Sequence, residues 1–105
     1  MENTAELNIE QFSASAQKAS ALLKAMSNEH RLMVLCALLD SELSVTEINA
    51  LVPLSQSALS QHLAALRKAE LVDTRRESQT IYYRVSNGVV LQIITVLKNT
   101  FCPED

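Results

Sequence analysis

Apolar positions recur at helical spacing along most of the chain and at alternate positions in one short stretch. From about Gln11 to Met26, the residues Ala19, Leu22, Leu23 and Met26 share one side of a segment otherwise rich in Ala and Ser. Its small side chains would let another helix approach closely. Asn28 is placed to cap a second helix, whose run from Leu32 to Leu39 is apolar on nearly all sides and belongs in a core. Ser44-Val45-Thr46-Glu47 fits a capping box, in which the serine accepts from a backbone amide and the glutamate reaches back to the cap. A short third helix starts there, with Ile48 and Leu51 inward. Pro53 ends it, because a proline pushes the preceding residue out of the helical region. Ser55 then caps a fourth helix, with Leu54 and Leu59 at the positions of a hydrophobic staple and with Leu59, Leu63 and Leu66 as its buried stripe. The pattern is helix, tight turn, helix.

After Glu70 the period changes to two. Val72, Thr74, Arg76, Ile81, Tyr83 and Val85 fall on one face, with Tyr82 and Arg84 on the other, and Glu77-Ser78-Gln79 lies near the tip of the implied hairpin. A last helix is predicted from Gly88 to about Phe101. It is apolar at Val89, Val90, Leu91, Ile93, Ile94, Val96, Leu97 and Phe101, and its polar stripe is narrow: Gln92, Thr95 and Asn99. So wide an apolar arc requires two burial surfaces, its own domain and a partner subunit. The elements sum to a mainly α fold with a small β-hairpin, in the order α-α-α-α-β-β-α, forming one domain over residues 1–105 with residues 1–10 flexible.

Composition narrows this picture. A length of 105 residues with 48% hydrophobic content suits a single domain with a real core, and one Gly and two Pro disfavour glycine-turned sheets and phosphate-cradling loops. No window approaches the roughly 18 to 20 apolar residues of a membrane span, and the N-terminus lacks the basic-then-apolar order of a signal peptide. A cytoplasmic protein is expected. The net charge of -3 is unfavourable for a partner as acidic as DNA, yet the charge is unevenly spread. Between Met1 and Leu54 seven acidic residues face three basic ones, whereas between Ser55 and Arg84 five basic residues face three acidic. Positive charge is concentrated on the fourth helix and the hairpin.

That segment carries the candidate chemistry. Reading base edges in a major groove calls for short amide and hydroxyl side chains flanked by cations, since amides pair with adenine edges while Arg and Lys hold phosphates. Gln56, Ser57, Ser60 and Gln61, followed by Arg67 and Lys68, meet that description. A solvated helix face looks similar in isolation; the capped turn before it and the basic hairpin after it favour the interface. Arg75 and Arg76 near the hairpin tip, with Thr80 and Tyr82 on the return strand, suit a wing along the phosphate backbone or in the minor groove. A charge-protected edge strand is the alternative for those arginines. His62, on the fourth helix, is counted with the DNA-contacting set, with capping or packing as its other readings.

Four stretches then carry a family resemblance: Leu23-Lys24-Ala25-Met26-Ser27-Asn28-Glu29-His30-Arg31-Leu32, Leu43-Ser44-Val45-Thr46-Glu47-Ile48, Ser55-Gln56-Ser57-Ala58-Leu59-Ser60-Gln61-His62-Leu63, and Leu71-Val72 through Tyr83. From Ser20 onward the chain resembles the ArsR/SmtB winged-helix repressors, and within them the HlyU and BigR branch. The resemblance implies a winged helix-turn-helix homodimer, joined mainly through its first and last helices, that binds a pseudo-palindromic operator in double-stranded DNA. It implies a transcriptional regulator, either a repressor or an activator that displaces a silencing protein.

The family's metal sensors carry a Cys-Val-Cys-type motif in the third helix or an Asp/His set in the last. Here the third-helix positions are Ser44-Val45-Thr46, and the last helix has no His, Asp or Glu before Glu104. No metal and no cofactor is therefore expected, since Cys36, Cys102, His30 and His62 are scattered where a soft metal needs clustered ligands. The cysteines remain. A thiol in an apolar helix is commonly a small core residue, which is the plain reading of Cys36. The resemblance assigns the pair another role, because in the HlyU and BigR branch cysteines at these two places sense oxidants or reactive sulfur species through disulfide or polysulfide formation. A direct disulfide needs Cα atoms within about 7 Å, which sequence does not settle. A metal-responsive repressor and a winged-helix dimer acting only through proteins stay as alternatives. An enzyme is not expected: no Gly-rich loop, paired carboxylates or nucleophile with a His partner is present.

Overall fold

The computed structural model describes residues 8–102. Its elements are α1 (Ile9–Met26), α2 (Glu29–Ala37), β1 (Leu43–Ser44), α3 (Val45–Leu51), α4 (Gln56–Lys68), β2 (Val72–Glu77), β3 (Thr80–Val85) and α5 (Gly88–Phe101). Most boundaries follow from local caps. Asn28 accepts from the amides of His30 and Arg31, Ser44 and Glu47 form the reciprocal capping box, and Ser55 accepts from the amide of Ala58. One boundary departs from expectation. The first helix starts at Ile9, because the Asn8 side chain accepts from the amides of Glu10 and Gln11 and converts a polar run into a helix start. Residues 9 and 10, expected to be flexible, thus fall within α1, and residues 1–7 lie outside the described ones.

The hairpin pairs Val72 with Val85 through Glu77 with Thr80, leaving a two-residue loop in which Ser78 has a φ of 57°. A positive first loop residue matches the twist of the flanking strands. A third strand joins this sheet. Leu43 and Ser44 pair antiparallel with Tyr83 and Tyr82, so the order is β1-β3-β2 and the sheet is tied to the start of α3. Two residues are too few for alternation to reveal such a strand in sequence.

The core forms where α2, α3, α4, the base of the hairpin and α5 meet, around Leu35, Leu38, Ile48, Leu59, Leu63, Leu66 and Leu71. Leu71 enters it through a sharp turn at the end of α4. There the Leu71 amide donates to the Leu66 carbonyl and Glu70 takes a φ of 65°, a position where glycine would be unstrained. In contrast, α1 buries only Met26 and leaves Ile9, Phe12 and Leu23 exposed. On α5, Val89, Val96 and Phe101 are likewise exposed.

Candidate nucleic-acid interface

The turn between α3 and α4 is held by a residue that sequence reading passed over. Asn49 donates its side-chain amide to the carbonyls of Val52 (3.2 Å) and Leu54 (2.9 Å), satisfying both across Pro53. An amide is a poor helix interior residue, and four positions before Pro53 that weakness is the signal that was available. With the turn braced on one side and Leu59, Leu63 and Leu66 buried on the other, the orientation of α4 is set. Gln56, Ser57, Ser60, Gln61, Arg67 and Lys68 are all exposed; the spacing puts Ser57, Ser60, Gln61 and Lys68 away from that stripe, whereas Gln56 and Arg67 border it and Gln56 lines a groove with Thr46, Asn49 and Ala50 of α3. Ser60, Arg67 and Lys68 also line a shallow groove with Tyr83 of the hairpin, which joins the outer face of α4 to the sheet.

His62 is half-buried and turned toward α2, where its Nδ1 accepts from Arg31 Nε at 3.1 Å. Arg31 donates in addition to the Ala25 carbonyl at 3.1 Å, so one guanidinium ties the end of α1 to α4 through α2. Burial lowers the His62 pKa from its usual value, and the charges of Arg31 and His30 lower it further. A neutral ring keeps the Nδ1 lone pair for Arg31. Of the readings open to His62, this bond fits packing, with Arg31 as the partner that sequence did not identify. The histidines that seemed scattered are in fact neighbours, His30 and His62 having ring centroids 6.1 Å apart. No group of three or more His, Cys, Asp or Glu that could hold a metal ion occurs among the described residues.

Arg75 is exposed and held by two carboxylates and an aromatic ring. Its Nε lies 2.6 Å from Glu42 Oε1, its NH1 lies 2.8 Å from Glu77 Oε1, and its guanidinium sits 4.7 Å over the Tyr82 ring. The Glu77 and Glu42 hydrogen bonds raise its pKa, so the charge is permanent and locally compensated. Glu42 is far away in sequence and meets Arg75 only because β1 joins the sheet. Arg76 pairs with Ile81 on the other face of the ladder and is exposed, as is Thr80 at the hairpin end. If Arg76 meets a phosphate and Arg75 is a strut, Arg76→Ala should shallow the slope of log affinity against log salt by about one unit. Arg75→Ala should leave that slope nearly unchanged while lowering the melting temperature; a DNA titration over a salt series checks both, and equal slope losses would reject the distinction.

The two cysteines line one cavity. Cys36 is half-buried on α2, Cys102 is exposed at the end of α5, and both line a cavity of about 560 Å³ between those helices. Both are free thiols. The helix α2 packs against α5 and also against α4.

Known proteins resemble this chain in sequence and in fold. Residues 28–74 match the model of the family described as bacterial regulatory protein, arsR family. Over 98 residues, 93% of this chain and 91% of the relative, the sequence is 50% identical to the transcriptional activator HlyU of Vibrio cholerae. The structure of reduced HlyU from Vibrio cholerae superposes with a TM-score of 0.86, covering 90% of this chain and 99% of that one at 50% identity. A homodimeric winged helix-turn-helix DNA-binding domain from Mycobacterium bovis superposes with a TM-score of 0.74 at 27% identity, covering 86% of this chain and 83% of that one.

Proposed function

Since the chain belongs to the arsR family of bacterial regulatory proteins and is a transcriptional regulator of the HlyU and BigR type, we propose that it binds a pseudo-palindromic operator as a homodimer and releases it when Cys36 and Cys102 are oxidised or persulfidated. Gln56, Ser57, Ser60 and Gln61 contact base edges, while Arg67, Arg76 and Thr80 meet the backbone or the minor groove at the wing. Arg75, paired with Glu42 and Glu77 on the surface of the sheet, holds the shape of the wing. The regulator works in the cytoplasm, where its thiols rest reduced.

The dimer reading is supported by what α1 lacks. An 18-residue helix with one buried side chain is marginal in water, and its exposed Ile9, Phe12 and Leu23 match the exposed Val89 and Val96 of α5 as surfaces awaiting cover. The homodimeric relative supports the same assembly. Two copies would then present two α4 helices to half-sites about 34 Å apart, or a multiple of that, on one face of the duplex.

Thiol control is carried by one observation, the sharing of a single cavity by Cys36 and Cys102. An oxidant that takes two electrons and two protons from the pair leaves a disulfide. A sulfane sulfur donor first adds a sulfur atom to one thiol; a second equivalent leaves as hydrogen sulfide while the bridge closes. Either bridge pulls α5 against α2, and α2 carries the strain to α4 through their shared packing and the Arg31 brace. A coupling of about 1 to 3 kcal/mol corresponds to about 5- to 150-fold weaker binding. Cys36→Ser and Cys102→Ser should each bind operator like the wild type and resist release by a sulfane sulfur donor in a fluorescence anisotropy titration. Release of the double variant at the wild-type dose would reject the thiol mechanism.

A further inference from the structure

The cavity between α2 and α5 has a chemical character of its own. Its walls include Leu32 and Met33 of α2 and Ile94, Leu97 and Phe101 of α5, and its one charged lining group is Lys98. A volume of about 560 Å³ lies within the roughly 300 to 1,000 Å³ that small-molecule sites occupy. Polar or ionic reagents would shed hydration on entering such walls without regaining hydrogen bonds, whereas an apolar molecule would gain from the transfer. The nucleophile and the cation both line the cavity. Cys102 donates its amide to the Lys98 carbonyl at 2.9 Å, so the two side chains sit one helical turn apart on the cavity side of α5.

We propose that this cavity binds small, uncharged, apolar electrophiles of the quinone class and presents them to Cys102 for covalent addition. The inference rests on the thiol-control reading and names the class of inducer that the cavity selects. In the step, the Cys102 thiolate forms a carbon–sulfur bond to the quinone ring. The electron pair of the attacked carbon–carbon double bond moves to a carbonyl oxygen, which becomes a phenolate beside the Lys98 ammonium. The ring proton at the attacked carbon is then lost to water and the phenolates are protonated, giving a hydroquinone thioether. The quinone is reduced within the adduct, so no further oxidant enters. A ring fixed between Met33 and Phe101 would wedge α2 from α5, acting on the same contact that a sulfur bridge tightens.

The test compares two uncharged electrophiles with one reactive group, N-phenylmaleimide and N-(2-hydroxyethyl)maleimide, on the reduced full chain. Rates of Cys102 modification are read by mass spectrometry and divided by each reagent's rate with N-acetylcysteine. The expected result is a normalised preference of about tenfold for the phenyl reagent, the scale set by burying part of one aromatic ring. Met33→Gln and Phe101→Ser alter exposed wall residues and should collapse the preference while leaving the fold intact by circular dichroism. In parallel, 1,4-naphthoquinone should form an adduct at Cys102 and release operator DNA from the wild type but not from Cys102→Ser. Equal normalised rates, or a preference unchanged in both wall variants, would overturn the cavity's role; thiol control would still stand if a sulfane sulfur donor releases the wild type. Release of the double cysteine variant by both reagents would instead reject the thiol reading itself.

Discussion

Val96→Asp should leave the chain folded but monomeric and should weaken operator binding by about 100-fold or more. Val96 is 62% exposed on α5, so a carboxylate there costs the isolated subunit little. In a dimer the same position lies against apolar surface, and an unpaired charge removed from water is expensive. Losing the second subunit removes the second half-site. Linked sites typically gain about 10² to 10⁴ in avidity over single ones, and that gain is what the variant forfeits. Sedimentation velocity reads the assembly, anisotropy reads the affinity, and a melting curve close to wild type shows that the fold is kept. A stable dimer that still binds tightly would move the interface away from α5.

Gln61→Ala carries the second large effect and falls on a different quantity. Gln61 is exposed on the outer face of α4, where an amide can donate to and accept from an adenine edge. Its loss should cost about 1 to 3 kcal/mol on operator, or about 5- to 150-fold, with affinity for random DNA unchanged. That split follows from the charge distribution. In a chain of net charge -3, non-specific attraction comes from the few cations around α4 and the hairpin, and none of them is altered. Equal weakening on both DNAs would mean that Gln61 supports the helix and does not read bases.

How much of this was legible in the sequence depends on the range of each interaction. Caps are local, so Asn28, the Ser44 and Glu47 box and Ser55 could be read from residues within one turn, and the buried stripe of α4 from its spacing. The hairpin and its approximate tip followed from alternation, while the register, with Glu77 paired to Thr80, was not read. Contacts between residues distant along the chain could not be read this way. The strand Leu43–Ser44 exists through pairing with Tyr82 and Tyr83, and it is what delivers Glu42 to Arg75. The ion pair of Arg75 with Glu42 was unreadable for that reason. His62 has the composition of a DNA contact and the position of a brace, a difference visible only once Arg31 of α2 is placed beside it. Cys36 and Cys102 were singled out by family likeness, yet their common cavity depends on how α2 packs on α5.

The central claim is that a reduced dimer reads DNA through α4. Selection of binding sites from a random-sequence duplex library by the reduced chain, followed by footprinting of the enriched sequence, tests it most directly. The predicted outcome is one enriched pseudo-palindrome, bound by two chains, with half-site centres about one helical turn apart or a multiple of it and protection on one face of the duplex. Enrichment of no sequence, or of a site bound by one chain without two-fold symmetry, would contradict it.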